Sequence, residues 1–487
     1  MSNTLLVTKK NEALLHIACD ESTSQELSDY FAFYVPNYQF TPLFKNKMWD
    51  GKIRLFDRRY ATLPGGLLNH LKKFATDRGY TLSIDDAVLL TTSFSIAEAE
   101  AFATALRLPH TPYDYQIEAF TRAIRNRRTL IVSPTSSGKS LIIYMIVRYL
   151  QQNHRKGLII VPTTSLVEQL FTDFISYGWD ADKYAHRLYA GKEKHTKHFL
   201  TISTWQTLHL QSPEYLSQFD FVIGDEAHLA KGKSLSAILT NLINADVRIG
   251  TTGTLDGTTT HRLVLEGHFG PVYQVATTKE LMDAGQVSTL EIKCLVLKYP
   301  EEMCRTLRKS DYREEYDTVI AYAPRGKFIR NLALSLHGNT LILFQLVDRH
   351  GRPMFEDLRD STDKHQVFFV HGKVETEERE EVRRITEISD NAIIVASYGT
   401  MSTGTNIKKL HNVIFASPSK SKIRNLQSIG RQLRLAEGKN GATLFDIVDD
   451  LRIGKHENYL LKHFIERVNI YNAEKFSMKH YYIDLKG

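Results

Sequence analysis

The run Ser133-Pro134-Thr135-Ser136-Ser137-Gly138-Lys139-Ser140 follows an apolar stretch, Thr129 to Val132, and opens a helical one. In that setting the backbone N–H groups of a loop and the first turn of the next helix converge on one point, which suits phosphate groups. Pro134, Thr135, Ser136, Ser137 and Gly138 would form the cradle, Lys139 would neutralise β- and γ-phosphate oxygens, and the Ser140 hydroxyl would ligate Mg2+. The fitting ligand is ATP with its metal. One residue departs from the general phosphate-loop pattern, since Ser133 stands in the place of its first glycine. Taken alone, the segment has a plainer reading as a turn with a surface lysine.

The segment Phe221-Val222-Ile223-Gly224-Asp225-Glu226-Ala227-His228 changes that balance. An apolar strand ending in two acids is the second half of a nucleotide site. Asp225 would hold Mg2+, and Glu226 would orient and deprotonate the water that attacks the γ-phosphate. Acids also favour helix N-termini for simple electrostatic reasons. With the phosphate loop upstream, the hydrolytic reading outweighs that one.

Together, SPTSSGKS and DEAH resemble the motif pair of superfamily 2 helicases, and further motifs of that superfamily follow in order. Tyr115-Gln116 is similar to the Q-type motif, in which Gln116 would read the adenine edge with its bidentate amide. VPTTSLVEQ (161–169), STWQT (203–207) and TGT (252–254) resemble motifs Ia, Ic and III. The resemblance implies nucleic-acid contacts from Pro162, Thr163, Thr204, Trp205 and Gln206, and coupling between sites through His228, Thr252 and Thr254. SYGTMSTGTNI (397–407) resembles motif V and adds Gly404 to the coupling set; Asn406 stands where many relatives carry Asp, which leaves its coupling role open. Gln427-Ser428-Ile429-Gly430-Arg431-Gln432-Leu433-Arg434 matches the QxxGRxxR motif VI. On a helix Gln427, Arg431 and Arg434 share one face, and two guanidinium groups of fixed charge suit a developing phosphoryl charge. A solvated basic helix face, the plain alternative, does not require Gly430.

Over its whole length, including WDGKIRL near the start and NYLLKHFIERV near the end, the sequence resembles the UvsW-type recombination helicases of tailed bacteriophages. That resemblance implies an ATP-dependent enzyme that unwinds branched DNA and RNA–DNA hybrids, drives branch migration and regresses stalled forks in recombination, repair and replication. It also implies duplex and single-stranded DNA as partners, and a monomer in the cytoplasm, that of the infected host if phage-encoded. Phage recombination and single-strand binding proteins are the protein partners it brings into view.

These residues need elements to hold them. From about 113 to 273, apolar runs (TLIVS, GLIIVP, FLTIST, FVIGDE, VRIGTTG) alternate with helical stretches, and the pattern resumes from about 340 with LILFQ, QVFFVHG, AIIVASYG, NVIFASP and ATLFDIVDD. The expected fold is α/β, two tandem RecA-like parallel-sheet domains, with a small N-terminal α+β domain and a short helical C-terminal appendage. The expected boundaries are 1–95, 96–280, 281–450 and 451–487. Leu460, Phe464, Val468 and Tyr471 mark one amphipathic C-terminal helix, with Lys455, Lys462, Arg467 and Lys475 on its outer side.

With 487 residues, 42% of them hydrophobic and 24% charged, the chain suits several packed domains. Its net charge of +7 is concentrated early: between Lys45 and Arg78 nine Lys or Arg face three Asp. Lys45, Lys52 and Arg54 there are candidate phosphate contacts, interleaved with Phe44, Trp49 and Phe56, although aromatic residues in a small domain more often form its core. Cys19, Cys294 and Cys304 lack the number and spacing of a disulfide framework or zinc site, which fits a reducing cytoplasm, and no stretch reads as an export signal or membrane span. Two other functions share these features. A duplex DNA translocase without strand separation has every motif, and a nucleotide-gated strand-annealing protein would use the basic ends. A nuclease lacks a further paired-carboxylate motif, and a small-molecule kinase leaves residues 427–434 unexplained.

Overall fold

The computed structural model describes residues 4–35, 38–89, 91–134, 137–189, 197–229, 233–255, 259–402, 407, 409–417, 441–454 and 456–485. The chain forms two compact units, one of Met1–Ser133 with Gly138–Ala276, the other of Pro134–Ser137 with Thr277–Gly487. Among the described residues no helix is long and apolar enough to cross a membrane.

The first unit is built on a seven-stranded sheet whose paired strands are all parallel: β7 (Arg128–Val132), β8 (Gly157–Val161), β9 (Ala185–Leu188), β10 (Leu200–Thr204), β11 (Phe221–Gly224), β12 (Val247–Thr252) and β13 (Val272–Gln274), in the order β13-β7-β12-β11-β8-β10-β9. Every residue of β8, β10, β11 and β12 is buried, as a sheet covered by helices on both faces requires. Successive residues serve opposite layers. Leu130, Leu158, Ile160 and Val222 enter one apolar core, and Ile131, Ile159, Val161 and Ile223 enter the other.

The N-terminal region packs onto this unit. Strands β1 (Thr4–Lys9), β2 (Leu14–Ala18), β5 (Thr62–Pro64) and β6 (Thr81–Ile84) form a sheet in the order β5-β2-β1-β6, and β3 (Ala32–Tyr34) pairs antiparallel with β4 (Lys52–Arg54). Its core includes Leu263, carried by the helix Thr259–Phe269 of the first unit. Contact at this seam is close: a Cβ at Gly66 would lie 1.9 Å from the Glu266 carbonyl oxygen, so only glycine fits. Glu266, buried, accepts from Arg262 Nε at 2.8 Å and meets His70 Nε2 at 2.5 Å, so the seam has polar as well as apolar ties.

The second unit repeats the architecture with β14 (Leu290–Lys298), β15 (Thr340–Phe344), β16 (Gln366–Val370), β17 (Ala392–Ser397), β18 (Asn412–Phe415), β19 (Ala442–Asp450) and β20 (Ser477–Asp484), all pairs parallel, in the order β16-β17-β15-β18-β19-β14-β20. The architecture is the expected one of two RecA-like sheets and a small N-terminal domain. The ten apolar runs all appear as strands. β9, β13, β14 and β20 are additional, and the last has mostly exposed residues at a sheet edge, which leaves little apolar pattern to read.

The C-terminal helix is present at Tyr459–Ala473 as the expected amphipathic element, with Leu460, Leu461, Phe464 and Tyr471 buried in the second unit and its other face exposed. Its N-terminus rests on the buried Glu315, whose carboxylate accepts the backbone N–H groups of Tyr459 and Leu460 at 3.1 and 2.8 Å. Lys462 and Lys475 are exposed, as the expected basic outer side requires, but Arg467 departs from it. It is fully buried, and its Nε and Nη2 each lie 2.8 Å from a different oxygen of Asp446, while the Tyr471 hydroxyl donates to the same carboxylate at 2.8 Å. A helical position facing the core is indistinguishable in sequence from an outer one when it carries Arg and its carboxylate partner lies on another element, here β19. A second buried pair, Arg325 with Asp449 at 2.8 Å, also takes a hydrogen bond from the Tyr299 hydroxyl.

Arg467→Ala would leave Asp446 buried without its guanidinium. The expected loss is about 3–5 kcal/mol, measurable as an earlier denaturant midpoint for the second unit's transition; a midpoint unchanged from wild type would contradict the assignment.

Candidate nucleotide and nucleic-acid site

The candidate residues of the first unit emerge from the carboxyl ends of its parallel strands. The phosphate loop follows β7, and Gly138, with φ of +76°, turns the chain into the helix Lys139–Gln152. No side chain caps that helix and no acid occupies its first turn, so its N–H groups and dipole are left for an anion. A Cβ on Gly138 would lie 2.4 Å from Gln116 Nε2, which explains the glycine twice over. Gln116 is buried against the loop, and its Oε1 accepts the Tyr113 N–H at 2.9 Å. Within the loop, Pro134 O accepts both the N–H and the hydroxyl of Ser137, at 3.2 and 2.6 Å. Ser133, in the place of a glycine, is buried and donates its N–H to Thr252 O at 2.9 Å, continuing the ladder between β7 and β12. Thr135 and Ser136 lie outside the described residues.

Asp225 and Glu226 follow β11. Glu226 has φ of +49°, a conformation costly for a residue with a side chain and one that clusters at functional sites. Its N–H donates to Asp225 Oδ1 at 2.9 Å, fixing the turn. The Glu226 carboxylate stands between two groups, Lys139 Nζ at 3.7 Å and His228 Nδ1 at 3.2 Å. From His228 the contacts continue: Nδ1 lies 2.9 Å from Thr252 Oγ1, which donates to Thr254 O at 2.9 Å. The expected coupling residues His228, Thr252 and Thr254 therefore form one connected chain that begins at the candidate base. Gly404 lies outside the described residues, as do Gln427, Arg431 and Arg434.

Burial, and then the neighbouring Glu226 charge, push the Asp225 carboxyl above the usual carboxylate range, while Lys139 and the Thr251 hydroxyl, donating at 2.7 Å, pull the other way. A divalent cation beside Asp225 would supply the missing compensation. The donor set fits a hard ion such as Mg2+: one carboxylate and the Ser140 hydroxyl, which can donate its proton to Tyr177 Oη, 2.8 Å away, and keep its lone pairs for a metal. Sequence reasoning missed Thr251 and Tyr177. Thr251 adjoins a motif and was findable; Tyr177 approaches from another helix end, with its phenol pushed up to about 12 by burial, and nothing local marks it.

The candidate nucleic-acid residues fall into two sets. β8 and β10 pair with Val161 opposite Thr204, so Pro162 and Thr163 emerge beside Trp205 and Gln206. Thr163 and Thr204 cap the helices Thr164–Ser176 and Trp205–Leu208, and Gln206 Nε2 lies 3.4 Å from Pro162 O. Gln206 is exposed and Thr163 partly so, whereas Pro162 and Thr204 are buried and Trp205 packs on the core beneath. Pro162 and Trp205 also line a small cavity with Asp225 and Glu226, which places this surface next to the acid pair. In the N-terminal domain Lys45 and Arg54 are exposed, Arg54 beside Asp50, and Lys52 lies over the Tyr34 ring at 4.9 Å. Trp49 is half-buried, its indole N–H donating to Lys52 O at 2.8 Å.

A phosphate loop and an acid pair on the first of two RecA-like sheets are the marks of the superfamily 2 helicase class, and family models agree along the chain. Residues 7–85 match DNA helicase UvsW, N-terminal; residues 109–257 match type III restriction enzyme, res subunit; and residues 325–436 match helicase conserved C-terminal domain. The chain is 37% identical over 486 residues to the ATP-dependent DNA helicase uvsW of Enterobacteria phage T4, covering 95% of this chain and 96% of that one. The chain belongs to the UvsW helicase family. The crystal structure of T4 UvsW superposes with a TM-score of 0.53 at 34% identity, covering both chains in full. The DNA-bound type ISP restriction-modification enzyme LlaBIII, 16% identical, covers 78% of this chain and 32% of its own at a TM-score of 0.57, a likeness of fold.

Lys139→Ala is expected to lower ATP hydrolysis by on the order of a hundredfold or more, and Glu226→Gln to retain ATP without turnover. Steady-state hydrolysis and nucleotide retention on a filter check both, and wild-type turnover in either variant contradicts the assigned roles.

Proposed function

We propose that this protein is an ATP-dependent DNA helicase that unwinds branched DNA and drives branch migration and fork regression, with RNA–DNA hybrids as further substrates. The observation that supports it most is the placement of Glu226, which joins Lys139 of the phosphate loop on one side to the His228–Thr252–Thr254 chain on the other. A base in contact with both groups can sense the γ-phosphate and pass its presence or loss to the strand ends that carry the nucleic-acid surface.

In this reading Lys139 and the uncapped helix N-terminus hold the phosphates, and Gln116 lies at the adenine side of the loop. Ser140 and Asp225 would hold Mg2+, which when bound supplies charge neutralisation at the phosphates. Glu226 takes a proton from the attacking water, and Arg431 and Arg434, with Gln427 beside them, stabilise the charge that develops on the transferred phosphoryl group. Pro162, Thr163, Thr204, Trp205, Gln206, Lys45, Lys52 and Arg54 form or support grips on the nucleic-acid backbone, so binding is salt-dependent and largely indifferent to sequence. The reading also includes a monomer in the cytoplasm, that of the infected host for a phage-encoded chain, with recombination and single-strand binding proteins as partners.

The decisive experiment measures ATP hydrolysis and strand displacement with no nucleic acid, single-stranded DNA, duplex DNA, a four-way junction, an RNA–DNA hybrid and single-stranded RNA at matched low salt. Strongest stimulation by the junction, with displacement, is expected. Stimulation by duplex DNA without displacement would point instead to a translocase, and annealing with no stimulation to a nucleotide-gated binding protein. Arg431→Ala should bind ATP as wild type while turnover falls by on the order of a thousandfold; weakened ATP affinity at normal turnover would refute the finger role.

A further inference from the structure

Between the buried rings of Phe31 and Phe56 the N-terminal domain sends out an excursion that includes β3, β4 and the turns joining them. Phe40, Leu43 and Met48 on it are 72, 50 and 75% exposed, and Tyr34 on β3 is 53% exposed. Such a concentration of large apolar side chains in water is unfavourable, and patches of this kind mark surfaces that are covered in function. The backbone beneath is well tied. The Thr41 hydroxyl caps the short helix Pro42–Lys45, Met48 N–H donates to Leu43 O at 2.9 Å, and Trp49 holds the Lys52 carbonyl. The Tyr34 and Tyr38 rings stack at 4.7 Å, and Tyr38 meets Phe44 edge-on at the same distance. The apolar side chains are thus presented on a shaped support.

The charges around them indicate what covers them. Lys45 and Lys47 are exposed within the same turns, and register places Lys52 opposite Tyr34 on one face of the β3–β4 pair. Exposed apolar side chains interleaved with cations are complementary to nucleobases with their phosphates. Base faces are hidden inside a duplex and become available where pairing ends, so the matching ligand is a strand junction.

We infer that this tip covers unpaired bases at the branch point of DNA: Phe40, Leu43 and Met48 pack on base faces while Lys45, Lys47 and Lys52 hold the adjoining phosphates. The inference rests on the helicase reading and adds to it a device for sensing the branch and keeping separated strands apart. Trp49, between the exposed residues in sequence, has its indole N–H engaged with the Lys52 carbonyl.

The test uses the full chain and a fork carrying 2-aminopurine at the first unpaired position. Wild-type protein should change the probe's fluorescence on binding, and the double variant Phe40→Ser/Met48→Ser should not. Preference for the fork over linear duplex should fall about tenfold in that variant, with fewer base pairs separated per ATP hydrolysed. Phe40→Leu, which keeps an apolar surface, should keep most of the preference, and circular dichroism of each variant checks folding. A double variant with wild-type probe signal and fork preference overturns the inference, as does a loss confined to binding of anionic lipid vesicles. Failure of the wild-type protein to displace any strand would instead remove the helicase reading on which the inference rests.

Discussion

A parallel sheet sends all its strand ends to the same edge, and the first unit depends on that constraint. β7, β8, β10, β11 and β12 deliver the phosphate loop, Pro162–Thr163, Trp205–Gln206, Asp225–Glu226 and Thr252–Thr254 to one edge of that unit's sheet without any long-range device. Burial on both faces enforces it. Because β8, β10, β11 and β12 are wholly enclosed, their register cannot slip without carrying apolar side chains into polar surroundings, so the polar residues just beyond them are held with the rigidity of the core.

On that platform the acid pair sits under opposing demands. Asp225 lacks the solvation a carboxylate prefers, Glu226 adopts a backbone conformation that side chains resist, and both are retained by hydrogen bonds from Thr251 and from the Glu226 N–H itself. Strain of this sort is stable only where the surroundings over-determine it. A turn poised in this way responds to a change in charge beside it, which is the event that nucleotide binding and hydrolysis provide.

How much of this could be read from residues alone depended on whether chemistry or partnership fixed them. SPTSSGKS and DEAH were legible because phosphate and metal chemistry dictate side-chain type and spacing, and the strands were legible where enclosure made them uniformly apolar. Tyr177, Arg467 and Glu315 were not, because each acquires its role from a partner on another element of the fold. The exposed tip at Phe40, Leu43 and Met48 was not legible for a different reason: a short two-stranded excursion has no interior in which to hide such residues, and nothing in their types says so. Gln427, Arg431 and Arg434 rest on sequence, since they lie outside the described residues.

The pairing of β20 with β14 has a consequence for biosynthesis. These neighbours are roughly 190 residues apart, so at ribosomal speeds of about 5–20 residues per second β14 waits on the order of ten to forty seconds for β20. Throughout that interval the nascent second unit presents an unpaired parallel edge, the kind of template on which stray strands assemble. The polar character of β20, with Lys479 reaching Glu291 across the pair, equips a latecomer to dock from water. In the first unit β7 waits in the same way for β12 and β13, but Val272 follows its partner Leu130 before β14 is made, so on the ribosome the nucleotide-binding half can mature before its companion has all its strands.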